Sequence, residues 1–195
     1  MVQRKPRLTA EDWAAAALAA LVDRGVAAVA VEPLAAALGA TKGSFYWHFA
    51  DRGALVDAAL ALWEARETDG VIAHLSTVDD PHERLHRLLE LVLTVPEADS
   101  VVRLFRDVED PRVRAALERV TRRRLGYVVQ QLEDCGVDPE SARTRGTLTY
   151  ATYLGWWQLR RTAPEAAPTG PDALPYVELL QRLLVDAGRP ARATT

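Results

Sequence analysis

The sequence predicts an all-α protein of about nine helices, with an N-terminal three-helix head followed by a larger helical region. Three observations carry this. Apolar residues recur at spacings of three and four along almost the whole chain, while strand signals are nearly absent. Thr, Asp and Asp-Pro stand where those periodic segments begin, and Gly or Pro where they stop. The length, 195 residues, suits one large domain or a small one joined to a larger one.

Thr9, followed by Glu11 and Asp12, opens the first helix, since acidic side chains are favoured in a first turn. Trp13, Ala17, Leu18 and Leu21 mark its buried face, and Gly25 stops it. The alternating segment Val26–Val31 is too short and too Ala-rich to stand as a strand. A second helix runs from Glu32 to Leu38, with Pro33 tolerated in its first turn and Gly39 ending it. Thr41 caps a third helix through Phe49, and Asp51 caps a fourth with Leu55, Ala59, Leu62 and Trp63 on one side.

Asp80-Pro81 begins a helix to Thr94, with Leu85, Leu88, Leu89 and Val92 at helical spacing. Pro96 breaks it, and a shorter helix covers Ala98–Val108. Asp110-Pro111 starts a long helix that ends near Cys135-Gly136, and Asp138-Pro139 starts the next, to Thr162. The Pro/Gly-rich stretch Thr162–Pro175 reads as a loop before a last helix, Tyr176–Ala187. No internal repeat is present.

Bulk composition excludes several classes. The charge is −3, and residues 1–52 carry six Lys/Arg against five Asp/Glu, so charge alone is a weak pointer to nucleic acid. Arg4, Lys5 and Arg7 precede any acidic residue and could lie along phosphates or simply be solvated. No apolar run approaches the roughly 18 residues of a membrane span, and the N-terminus has no apolar signal region. One cysteine, Cys135, rules out an internal disulfide framework and fits a cytoplasmic location.

The densest chemistry lies in Lys42-Gly43-Ser44-Phe45-Tyr46-Trp47-His48-Phe49, in a chain that is only 7% aromatic. Residues 32–49 have helix-turn-helix dimensions, with Gly39-Ala40-Thr41 as the turn. Phe45 and Phe49 are four apart and share a core face with Leu34 and Leu38. Lys42, Gly43, Ser44, Tyr46, Trp47 and His48 are left on the other sides. Hydroxyls, an indole N–H and an imidazole at a helix N-terminus suit phosphates and base edges.

LAAALGATKGSFYWHFADRGALVDAAL resembles the DNA-binding segment of the TetR family of bacterial transcription regulators, over roughly residues 8–62. The likeness rests on the Gly before the turn, the aromatic-Tyr-x-His-Phe core, and a basic residue opening the fourth helix ahead of Leu. It implies that Thr41, Lys42, Gly43, Ser44, Tyr46, Trp47 and His48 form the recognition surface and that Arg52 contacts phosphate. Ala30 replaces the family's usual Thr cap, and Arg52 its commoner Lys. The implied division is a DNA-binding domain over 1–52 and a ligand-binding and dimerisation domain over 53–195. The implied partners are a near-palindromic duplex operator, a small effector and a second copy, joined through the last two helices. Apolar Tyr176, Val177, Leu179, Leu180, Leu183, Leu184 and Ala187 wrap most of the last helix, more than one subunit's core needs.

A second ring-rich stretch, Thr147–Arg161, has two readings. Tyr150, Tyr153, Trp156 and Trp157 either pack a core or dimer interface, or wall a lipophilic effector site opposite Trp63 and Phe105. His82-Glu83-Arg84-Leu85-His86 matches H-E-x-x-H, but it sits at a capped helix start with no third ligand motif. No hydrolase, phosphate-loop or dinucleotide motif occurs, so no enzyme, cofactor or catalytic metal is expected. Whether His74, His82 and His86 hold a regulatory metal is open at this level. The expected function is a ligand-responsive repressor; the alternative is a ligand- or metal-binding helical protein with no regulatory DNA role.

Overall fold

A computed structural model of the chain describes residues 8–95 and 100–186. These hold α1 (Ala10–Arg24), α2 (Val31–Leu38), α3 (Lys42–Tyr46), α4 (Arg52–Glu64), α5 (Gly70–Leu75), α6 (Pro81–Thr94), α7 (Ser100–Leu104), α8 (Pro111–Asp134), α9 (Pro139–Thr162) and α10 (Leu174–Val185). A π-helical turn, Ala65–Asp69, joins α4 to α5, so the two count as one run and the described residues contain nine helical runs and no strand. The expected basic residues Arg4, Lys5 and Arg7, the break at Pro96 and the end of the last helix at Ala187 lie outside the described residues.

The chain forms two compact units, Met1–Glu67 with Arg103–Glu118, and Thr68–Val102 with Arg119–Thr195. The first therefore extends past residue 52, because α4 packs along α1. Trp13, Leu21, Phe45, Leu55, Leu60 and Trp63 are fully buried in it. Thr9 caps α1 in a reciprocal capping box with Asp12. Leu18, expected on the buried face, is only half-buried.

Residues 26–29 show why the alternating segment is no strand. They form a 3-10 turn, Val26–Ala28, gripped from two sides. The Arg106 guanidinium donates to the carbonyls of Asp23 (3.1 Å) and Val22 at the end of α1, and to that of Leu21 (3.0 Å), which also accepts the Gly25 N–H at 2.9 Å. The Asp107 carboxylate accepts the Val26 N–H at 3.0 Å. Gly25 has φ 91°, and a Cβ there would stand 3.0 Å from the Asp107 carboxylate. A side chain would be strained by the backbone and would crowd the clasp.

In the second unit α10 packs on α6, and α6 also meets α9. Asp80 and Asp138 cap α6 and α9, each with Pro at the start of the helix. Asp80 and Glu83 have the spacing of a capping box at α6, but only half of it is made. Asp80 accepts the N–H groups of His82 and Glu83, whereas the Glu83 carboxylate pairs with Arg87, one turn on, at 2.7 Å.

These caps make the protein acid-sensitive. Hydrogen bonds from the Glu83 and His82 N–H groups hold Asp80 below the usual carboxylate range, and those from Ser141 do the same to Asp138. A folded pKa lowered in this way adds stability above the unfolded pKa and loses it as pH falls through the folded one. The thermal midpoint should drop below about pH 4, and drop less in Asp80→Asn with Asp138→Asn, because Asn caps without titrating. Equal acid sensitivity in that variant would show that the caps are not its source.

Candidate nucleic-acid interface and effector face

The reading element is built by two helix ends. Gly39 ends α2 in the left-handed region, φ 62°, and its N–H and that of Ala40 return to the Ala36 and Ala35 carbonyls. Thr41 is extended, and its hydroxyl accepts the Ser44 N–H at 3.2 Å, which starts α3. The helix is shorter than its sequence suggests, closing at Tyr46. Trp47, His48 and Phe49 form a turn in which the His48 and Phe49 N–H groups share the Phe45 carbonyl, at 2.9 and 3.0 Å. Five residues sum few peptide dipoles, so a macrodipole contributes little here and individual donors matter more.

Burial separates the rings as the spacing suggests. Phe45 is wholly buried, meeting Trp13 edge-on at 5.5 Å and stacking on Phe49 at 5.7 Å. Tyr46 and Trp47 are 57% and 80% exposed. Thr41, Lys42 and Gly43 are exposed too, while Ser44 and His48 are half-buried. A Cβ on Gly43 would meet only the Thr41 hydroxyl, at 3.7 Å, so the fold itself does not demand glycine there. Lys42 is ion-paired to Glu32 of α2 at 2.9 Å. Arg52, expected on phosphate, donates instead to the Val29 carbonyl at 2.6 Å and to that of Val26, supporting the turn beside α2. Ala30 opens α2 with no side-chain cap.

The rings of α9 are buried in the second unit. The Trp156 and Trp157 indoles donate to the Leu93 and Val92 carbonyls at 3.0 and 2.8 Å, closing the C-terminal end of α6. Trp156 also meets Tyr176 edge-on at 5.0 Å, and the Arg160 guanidinium lies over Trp157 at 5.7 Å. Tyr150 shares a hydrogen bond with Thr121 at 3.3 Å, and Arg124 donates to the Tyr153 hydroxyl at 3.2 Å and to Thr68 at 3.0 Å. Trp63 and Phe105 belong to the first unit. Trp63 is buried with its indole on Glu67 at 3.1 Å, and Phe105 is 39% exposed.

Of the H-E-x-x-H stretch, the His86 ring and the His82 main-chain carbonyl have a structural partner. Gln181 of α10 bridges them, its carbonyl on the His86 ring at 2.8 Å and its amide N–H on the His82 carbonyl at 2.8 Å. Among the described residues no three of His, Cys, Asp and Glu are placed to share a metal ion. Burial beside Asp134 raises the Cys135 thiol, away from reactivity. The Gln181 bridge and the Trp-to-carbonyl caps have no local signature, since each joins residues more than sixty positions apart.

Residues 14–66 match the family model described as bacterial regulatory proteins, tetR family. A search of curated proteins returns no match. Solved structures share the fold across nearly the whole chain. A TetR transcriptional regulator from Legionella pneumophila superposes with TM-score 0.70 at 17% identity, covering 93% of this chain and 97% of that one. The transcriptional regulator FadR from Bacillus subtilis, solved with stearoyl-CoA, gives 0.66 at 12% identity, over 93% and 100%. SmeT, repressor of the Stenotrophomonas maltophilia multidrug efflux pump SmeDEF, gives 0.60 at 21%, over 93% and 90%.

Trp157→Phe leaves the Val92 carbonyl without its donor and also removes the fused five-membered ring from a buried site, so a packing loss adds to that of the hydrogen bond. It should lower unfolding free energy by ~1–3 kcal/mol. Urea denaturation measures this. A change within error would mean that water reaches that carbonyl and that the cap is dispensable.

Proposed function

We propose that this chain, whose residues 14–66 match the model of the tetR family of bacterial regulatory proteins, is a homodimeric transcriptional repressor that leaves its operator on binding a small lipophilic effector. The observation that carries it is the division of rings on residues 42–49. Phe45 and Phe49 fix the element to the core, while Tyr46 and Trp47 stand open beside Thr41, Lys42 and Gly43. Such a surface offers hydroxyls, an indole N–H and flat apolar area to phosphates and base edges, with Ser44 and His48 at its margin. Arg52 acts in this reading as a brace for the α2 turn, with its exposed position still near enough to the helix start to serve a phosphate.

For the effector, support comes from the tyrosine-bearing part of α9. Tyr150 and Tyr153 lie 5.8 Å apart and carry their hydroxyls to Thr121 and Arg124, which is apolar area with a few orienting polar groups. Trp156 and Trp157 then act as scaffold for that wall. That FadR was solved with stearoyl-CoA is in keeping with a lipophilic ligand on this fold. Release of DNA by ten- to a hundredfold needs only ~1.4–2.7 kcal/mol of differential affinity. The absence of a helix long and apolar enough to cross a membrane, among the described residues, accords with work on cytoplasmic DNA. No enzymatic step is proposed.

For the dimer, α9 and α10 each leave an apolar stripe open. Leu148 and Leu159 are 60% and 46% exposed on α9, with exposed Thr152 and Gly155 between them. Tyr176, Leu179 and Leu183 are 44%, 47% and 58% exposed on α10. A second copy of these helices would bury both stripes. Leu184 is buried and Leu180 half-buried, so they serve their own subunit.

Two experiments test this. Tyr46→Ala with Lys42→Ala should weaken operator binding by roughly 1–3 kcal/mol in a gel shift and leave the thermal midpoint unchanged. Phe45→Ala should instead destabilise the head by ~3–5 kcal/mol. Full-strength binding by the Tyr46/Lys42 variant would remove α3 from the interface. Separately, Leu179→Glu with Leu183→Glu should convert a dimer into a folded monomer by light scattering. A wild type that is monomeric at micromolar concentration would refute the α9–α10 stripes as an interface.

A further inference from the structure

We propose that Glu32 sets DNA specificity: its carboxylate holds the Lys42 ammonium and competes with phosphate for that cation at the start of α3. The inference rests on the DNA-binding reading of α3 and adds to it a residue that works against affinity.

The geometry is direct. Glu32 stands in the first turn of α2 and Lys42 at the first position of α3, ten residues on across the turn. Their side chains meet at 2.9 Å and both are exposed. The hydrogen bond and charge of Lys42 hold Glu32 below the usual carboxylate range, and Glu32 in turn raises Lys42, so both are charged at neutral pH. Exposed pairs of this kind are weak, and a phosphate can displace one. The pair thus differs from Arg52 and Arg106, whose guanidiniums are spread over two and three main-chain carbonyls.

What the pair does follows from how DNA is bound. Sequence-independent affinity scales with the number of phosphates a protein neutralises. While Glu32 stays beside Lys42, the two sum to no charge, and approach to an arbitrary duplex gains little. Base-edge and methyl contacts by Tyr46 and Trp47 are untouched by this cancellation. Glu32 therefore subtracts more from binding to random DNA than from binding to the operator. A carboxylate so placed could instead accept from cytosine N4, and the experiment distinguishes the two uses.

The test compares full-length wild type, Glu32→Gln and Glu32→Gln with Lys42→Gln. Each is titrated by fluorescence anisotropy against an operator selected from random DNA and a scrambled duplex of equal length, at several salt concentrations. Glu32→Gln should bind the scrambled duplex about three- to tenfold tighter at low salt, with a salt slope steeper by about one phosphate equivalent. Operator affinity should rise less, so the ratio between the two falls. The double variant should bring scrambled-duplex affinity back to the wild-type level or below. Unchanged affinity of Glu32→Gln for the scrambled duplex overturns the proposal. So does a loss of operator affinity confined to one base pair, which would make Glu32 a base reader. Wild type that binds neither duplex would instead refute the DNA-binding reading itself. Both side chains are exposed, so unchanged thermal midpoints should accompany all three proteins.

Discussion

Helix ends are the constraint on which this structure turns. An all-helical chain ends each helix with four carbonyls that have no partner within it, and those that pack inside cannot rely on water. Here arginine and tryptophan side chains supply the donors. Arg106 closes α1, the Trp156 and Trp157 indoles close α6, and Arg145 reaches the Leu184 carbonyl near the end of α10. Arg84 and Arg160 do similar work on the carbonyls of Val78 and Ala167 in connecting segments. The chain's preference for Arg over Lys, 22 to two, thereby acquires a physical reading. A guanidinium carries five N–H donors in a rigid plane and can serve several carbonyls at once, which an ammonium on a flexible stem does less well.

This also explains which parts of the molecule were legible in the sequence. Helix starts were, because Thr9, Thr41, Asp51, Asp80 and Asp138 each cap through a side chain three residues or fewer from the N–H it accepts. The division of residues 42–49 into buried and exposed rings was legible for the same reason: Phe45 and Phe49 differ by one turn, and their burial follows from that spacing. Local periodicity overreached at α3, which closes at Tyr46 because the His48 and Phe49 N–H groups converge on a single carbonyl. Helix C-ends were legible only where Gly marks them. The Trp156 and Trp157 caps span 63 and 65 residues, and no pattern in one sequence announces such a pair. Read alone, those rings invite a ligand; in place, they have already found partners.

Under the repressor reading, the two kinds of aromatic residue have opposite energetics. Phe45 contributes through burial, since removing it would open a cavity beside Trp13. Tyr46 and Trp47 stay largely in the open, Tyr46 meeting the buried Phe45 ring edge-on at 5.0 Å. A hydrophobic anchor thus fixes the orientation of an apolar reader, and the edge-on contact of Phe45 with Tyr46 couples the two positions, so substitutions there should not act independently.

The charge of the reading face completes the argument. The protein is acidic overall, and its Lys42 is matched by Glu32. Under the same reading, a dimer whose DNA-binding face is paired in this way begins with little of the counterion-release energy on which most such proteins draw. It must obtain more of its affinity from shape and ring contacts that only a correct site satisfies, and from joining two heads in one dimer. Effective concentration then substitutes for charge: a second head tethered near its half-site raises affinity without raising attraction to arbitrary DNA.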